Sequence, residues 1–203
     1  YPFNGNANDE SGNGNDGEVN GATLAEDRHG SDSNSYSFDG DDYIDIGDKL
    51  PDATTVTVSA WINKADDKPA VVFSDSDNHI RNDFILSVSK NAVGIRADKS
   101  GALLGTDAIP YHGYTSVGAS LTEGSWSMLT WVMKPDKSFI FIDGKLIATV
   151  KISGSNVGNH GGRIGEAYSF NFKGSVDDIR IYNRALSELE VKELYDLEKP
   201  LES

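Results

Sequence analysis

The sequence predicts an all-β fold, an antiparallel sandwich with one short helix at its C-terminal end. Three observations carry this. Apolar and polar residues alternate with period two in short runs from about residue 36 onward. Gly, Asn and Asp punctuate the gaps between those runs. A helical spacing of apolar residues occurs near the C-terminal end, after residue 185.

Taken in order, TTVTVSAWI (54–62) places Val56, Val58, Ala60 and Ile62 on one strand face. PAVVFS (69–74), DFILSVS (83–89) and AVGIRA (92–97) follow at short spacing. WSMLTWVM (126–133) is a further strand. SFIFIDGKLIATVKI (138–152) reads as a hairpin, because Asp143-Gly144 supplies the positive φ angles of a two-residue turn. GRIG (162–165) and SVDDIRIYN (175–183) complete the strands. Trp61, Trp126 and Trp131 fall inside strands and are expected in the core. The helix opens at Ser187 with Glu190 three residues on, a capping box, and Leu186 and Val191 are spaced for a hydrophobic staple. Leu189, Leu194 and Leu197 are expected to extend its apolar stripe, and Pro200 to stop it. Tyr1 and Phe3 are expected to anchor an edge strand ahead of a Gly/Asn/Asp-rich segment.

The 203 residues, 37% of them hydrophobic, suffice for one core, so the whole chain, 1–203, is read as a single domain. Without cysteine, disulfides and thiolate metal sites are excluded. The apolar runs fall short of the ~20 residues that a spanning helix needs. A net charge of −14 repels nucleic acid and anionic membranes, so neither is an expected partner. The same charge favours cations, above all calcium, which takes carboxylate, amide and carbonyl oxygens.

One stretch concentrates those oxygens. In NDESGNGNDG (8–17), Asp9, Ser11 and Asn13 alternate ahead of Gly14, the first half of an EF-hand-like loop. The second half departs from that pattern, since Asn20 stands where a bidentate Glu would be. The loop therefore needs a ligand from elsewhere. Strict alternation along the final strand puts Asp177 on the face of Ile179 and Ile181, pointing inward at the end of the core, where a lone carboxylate needs a partner. A cation meets that need; the alternative is a solvated Asx/Gly turn with Asp177 accepting from neighbouring backbone amides. The expected site holds calcium (Ca2+) on Asp9, Asn13, Gly14, Asn15 and Asp177, with Asp16 and Asp178 as secondary candidates.

The stretch GSVDDIRIYNRALSELEVKELY (174–195) resembles the closing strand and helix of laminin G-like domains in the concanavalin A-like lectin/glucanase superfamily. YPFNGNANDESGNGNDG (1–17), SYSFDGDDYIDIG (35–47), TVSAWINK (57–64), EGSWSMLTWVM (123–133) and FIFIDGKLIA (139–148) agree with it in order and spacing. The resemblance implies a two-sheet antiparallel jelly-roll sandwich. It also implies a structural calcium between the N-terminal backbone and the Asp at this point of the last strand, and a monomeric binding module of a larger bacterial extracellular or cell-surface protein.

Catalysis is not expected. The Glu-x-Asp-x-x-Glu run of laminarinase-type relatives is absent, and Glu188, Glu190 and Glu193 fall on the terminal helix. His29, His79, His112 and His160 are scattered over separate loops. A polysaccharide or glycan is the expected partner, with protein as the alternative in an adhesive or spacer module, and a glycoside hydrolase disfavoured. The ligand residues are sought in three polar loops, 74–83, 105–120 and 154–172. There Asp75, Asp77, His79, Arg81, Tyr111, His112, Tyr114 and Arg163 combine rings with polar groups suited to sugar hydroxyls.

Overall fold

The computed structural model describes residues 1–48, 53–75, 83–98, 115–119, 121–151 and 161–201. In chain order the strands are β1 (Glu18–Asn20), β2 (Thr23–Ala25), β3 (Ser35–Asp39), β4 (Tyr43–Gly47), β5 (Val56–Lys64), β6 (Ala70–Asp75), β7 (Asp83–Ser89), β8 (Ala92–Asp98), β9 (Thr115–Gly118), β10 (Trp126–Lys134), β11 (Lys137–Ile142), β12 (Lys145–Lys151), β13 (Gly162–Ile164) and β14 (Lys173–Tyr182), followed by helix α1 (Glu188–Glu198). They form two antiparallel sheets. The first runs β1-β4-β13-β6-β7-β8-β9 and the second β12-β11-β10-β5-β14-β3-β2. Neighbours far apart in sequence, such as β5 beside β14, are the crossovers of a jelly roll. Strand β9 lies within 105–120, a segment whose composition predicts loop throughout.

The core lies between the sheets. Val56, Val58, Ala60 and Ile62 face inward from β5, as their alternation requires. Phe84 of β7 stacks on Trp131 of β10 across the layer, with ring centroids 3.8 Å apart. The outer face of the second sheet is also covered, which is why almost all of β5 is buried. There Trp61, Met128, Val132 and Phe141 meet Leu186 and Val191 under the terminal helix.

The capping box forms as read: Ser187 Oγ accepts from the Glu190 N–H, and the Glu190 carboxylate accepts from the Ser187 N–H. The stripe differs. Leu189 and Leu197 are exposed, whereas Val191, Leu194, Tyr195 and Glu198 turn toward the sheet. At 3.6 residues per turn these four share one face of the helix, from which Leu189 and Leu197 point away. Tyr1 and Phe3 are anchored, though not in a strand. Tyr1 exchanges two backbone hydrogen bonds with Ile179, at 2.9 and 3.1 Å, and Phe3 is fully buried against Tyr36.

Two glycines are required by geometry. Gly144 completes the β11–β12 turn, with φ of 49° at Asp143 and 71° at Gly144. Gly174 has φ 137°, and a Cβ there would lie 2.2 Å from the Asn63 carbonyl oxygen. Gly174→Ala is therefore expected to destabilise the domain by well over 1 kcal/mol. Ser187→Ala is expected to cost about 1 kcal/mol through the lost cap. Urea unfolding of both variants checks the two values, and wild-type midpoints would contradict them.

Candidate functional site: a charged latch beside a polar cleft

Between β2 and β3 the chain turns at Glu26–Ser31. The Asp27 carboxylate accepts from the N–H groups of His29 (2.7 Å) and Ser31 (2.9 Å), an Asx-type turn that fixes the next residue in place. That residue is Arg28, whose side chain is 5% exposed. Its Nη1 donates to Asp177 Oδ2, its Nη2 to Asp178 Oδ2 (2.7 Å), and its Nε to the Glu198 carbonyl (2.8 Å). The guanidinium lies over the Trp61 ring, 4.9 Å from the centroid. Trp61 Nε1 donates to Glu198 Oε2 (3.0 Å), while Arg180 bonds Glu198 Oε1 (2.5 Å) and Asp178 Oδ1 (3.3 Å). Five charged groups and one indole thus close on one another.

This arrangement corrects the expectation for Asp177. Its strand is bulged: Asp177 pairs with Trp61 and Arg180 with Ser59, so three steps on β14 oppose two on β5. Asp178 absorbs the irregularity with φ 44°. Val176 and Ile179 both reach the inter-sheet core, and Asp177 lies instead on the outer face beside Trp61. Alternation failed at this one step because the bulge adds a residue. Burial pushes the Asp177 carboxyl up to about 7; Arg28 opposes this by charge and hydrogen bond, and Asp178 and Asp27 add to it.

The acidic N-terminal loop is closed by its own side chains. Asp9 accepts from the N–H groups of Ser11 (2.9 Å) and Asn15 (3.1 Å), and Asp16 accepts from that of Asp9 (2.9 Å). Burial works against it, yet these hydrogen bonds hold the Asp9 carboxyl below its ordinary range. Asn13 donates to Ser11 Oγ, and the Asn15 carbonyl accepts from the Tyr1 hydroxyl (2.6 Å). Gly14 takes φ 72° within the loop. Asp177 is not brought to this loop; it is committed to Arg28. Asp9, Asn13 and Asn15 share one cleft, and Asp177, bonded to Arg28, is outside its lining, so the five residues expected to hold a calcium ion are not gathered at one point.

What the loop does form is one wall of a cleft of about 550 Å³. Asp9, Glu10, Ser11, Asn13 and Asn15 line one part of it, Ile179–Asn183 another, with Tyr1, Pro2 and Val56 between. Rings, carboxylates, amides and a guanidinium share the cavity. Arg180 is held in place by Glu198 and Asp178 from behind.

Of the residues sought as ligand contacts, Asp77, His79, Arg81, Tyr111, His112 and Tyr114 lie outside the described residues. Asp75 is buried at the end of β6, opposite Gly162. Arg163 sits on the outer face of the first sheet, 4.7 Å over the Tyr43 ring, bonded to Glu166 (2.5 Å) and 3.7 Å from Asp45. Neither residue lines the cleft. Sequence reasoning missed Arg28, Arg180, Glu198, Tyr182 and Asn183, and named Asp178 only as a secondary calcium ligand. One signal was present: Glu198 falls on the same helix face as Val191 and Leu194, and a carboxylate on an apolar face needs a buried partner.

The laminin G-type family model described as the concanavalin A-like lectin/glucanases superfamily matches residues 38–192. The chain belongs to this superfamily. No curated protein sequence matches the chain. Among solved structures, domain 4 of AbnA, a GH43 extracellular arabinanase from Geobacillus stearothermophilus, in complex with arabinotriose, is similar with TM-score 0.71 and 18% identity. The match covers 95% of this chain and 94% of that one. The sialidase CBM40 of Ruminococcus gnavus, bound to α2,3-sialyllactose, is similar with TM-score 0.57 and 14% identity over 71% of this chain and 84% of that one. The binding domain of Paraclostridial Mosquitocidal Protein 1 is similar with TM-score 0.70 and 19% identity, over 94% of this chain and 49% of that one. At these identities the likeness shows the superfamily's fold, on a set of neighbours that are mostly binding or lectin-like domains. Among the described residues no helix is long and apolar enough to cross a membrane.

The raised Asp177 carboxyl has a pH signature. An unfolded Asp titrates near about 3.9, so between about pH 4 and 7 the folded protein holds a proton that the unfolded chain has released. Stability from this group is fully present below that window and is lost as pH rises through about 7. Urea unfolding of wild type and Asp177→Asn across this range is expected to show wild type losing ground to the variant as pH rises. A pH-independent difference would contradict the shift.

Proposed function

We propose that the chain is a non-catalytic glycan-binding module of an extracellular or surface protein, and that it takes a short saccharide segment in the cleft between the N-terminal loop and the end of β14. The cleft itself carries this reading. Its volume of about 550 Å³ lies within the range of small-ligand sites, about 300–1,000 Å³. Tyr1 and Tyr182 offer ring surface for the C–H face of a sugar. Asp9, Glu10, Asn13, Asn15, Arg180 and Asn183 offer acceptors and donors to hydroxyls. Much of this lining is held in advance: Tyr1 by Ile179 and Asn15, Asp9 by loop amides, Arg180 by its two carboxylates. Preorganisation lowers the entropy cost of gripping a flexible polymer. The neighbours solved with arabinotriose and sialyllactose support a sugar as the ligand class.

The same lining argues against hydrolysis. A glycosidase needs two carboxylates flanking the scissile bond, about 5–9.5 Å apart. The carboxylates of this cleft, Asp9 and Glu10, are chain neighbours on one wall, and β14 contributes Arg180 to the lining.

Isothermal titration with arabino-oligosaccharides and a panel of plant and algal oligosaccharides tests the proposal. Tyr182→Ala is expected to weaken binding about tenfold, equivalent to about 1.4 kcal/mol, and Arg163→Ala to leave it unchanged. Loss of binding in Arg163→Ala alone would move the site to the first sheet, and absence of binding across the panel would end the glycan reading.

A further inference from the structure

We propose that Arg28 is a built-in cation that occupies the position expected for calcium at Asp177, so that the Asp177–Asp178 carboxylate pair takes no metal. The expectation of an ion there rested on a buried carboxylate in need of a positive partner. The chain supplies that partner itself. Arg28 bonds one oxygen of Asp177 and one of Asp178 and uses its third edge on the Glu198 carbonyl. A planar guanidinium suits such a fork, because its donors are fixed in one plane and its charge persists at every accessible pH.

The surroundings close the position. Arg28 is 5% exposed and Asp177 3%. Trp61 covers one face of the guanidinium, and the indole is itself held by Glu198 and stacked on Tyr195. The other oxygen of Asp178, Oδ1, accepts from Arg180. An entering divalent cation would have to expel a group with three hydrogen bonds, break its contact with Trp61 and release the turn that Asp27 folds behind it. It would also find few oxygens, since calcium takes six to eight ligands and the loop oxygens of Asp9 and Asp16 are turned to backbone amides.

The consequence is a module whose last strand is fixed without calcium. Tethering the counter-ion in the same chain keeps it present at any calcium concentration, whereas a bound ion stabilises only as its free concentration exceeds Kd. The bulge that Arg28 holds also sets Ile179, which bonds Tyr1 at the edge of the cleft.

Thermal melting of the full chain, after exhaustive chelation and again with millimolar calcium, tests this with calcium alone as the probe. Wild type is expected to show no calcium shift that Asp177→Asn removes. Any shift arising from the N-terminal loop would instead survive in Asp177→Asn and vanish in Asp9→Asn, which leaves the proposal standing. Arg28→Gln is expected to melt lower and to regain part of the loss on adding calcium. If Arg28→Gln does not fold, the wild-type and Asp177→Asn pair decides alone. A calcium shift in wild type that is lost in Asp177→Asn would overturn the proposal.

Discussion

The fold turns on a single guanidinium. Arg28 joins the turn after β2, the bulge of β14, the end of α1 and the indole of Trp61 on β5. These segments are separated by as many as 170 positions in sequence. No short-range preference brings them together. Burying two carboxylates is unfavourable unless a charge of the opposite sign is placed against them with good hydrogen-bond geometry. That requirement selects one register for β14 and one docking position for the helix. The net gain in stability from such a pair is small, and its contribution is to positional specificity.

The bulge links this charge cluster to the cleft. Because β14 gains a residue at Asp178, Ile179 turns back into the core and its backbone faces Tyr1. The following residues, Arg180 to Asn183, then form part of the cleft lining beside the acidic loop. Left-handed backbone at a non-glycine residue such as Asp178 costs about 1–3 kcal/mol and persists where surrounding contacts over-determine it. Here the contacts are Arg28 and Arg180 on its two oxygens. One strained residue is thus held by the latch on one side and shapes the cleft on the other.

The two sheets were legible because period-two alternation is a local property. Val56 to Ile62 and the Asp143-Gly144 turn each declare themselves within a few residues. The three-residue strands β1 and β2, and β9, are too short or too polar for any period to register. The capping box was legible for the same local reason, whereas the helix stripe was misread by giving Leu189 and Leu197 weight for their hydrophobicity rather than their angle. The candidate site was legible only in part. The acidic loop stood out by composition, but its neighbours in space, Tyr182 and Asn183, are distant in sequence. Asp177 was singled out correctly as a carboxylate in need of a partner. The partner was missed because a bulge moved it to the other face, where Arg28 arrives from a turn that no periodicity predicts.

A double-mutant cycle between Arg28→Met and Asp177→Asn, read by urea unfolding at pH 8, probes the latch most directly. Arg28→Met leaves the buried carboxylate without its counter-ion, whereas in the double variant that carboxylate is gone. The two effects should therefore couple by at least about 1 kcal/mol, with the double variant less destabilised than the sum of the single ones. Additivity within about 0.5 kcal/mol would show that the two residues act independently and that the latch does not organise the fold.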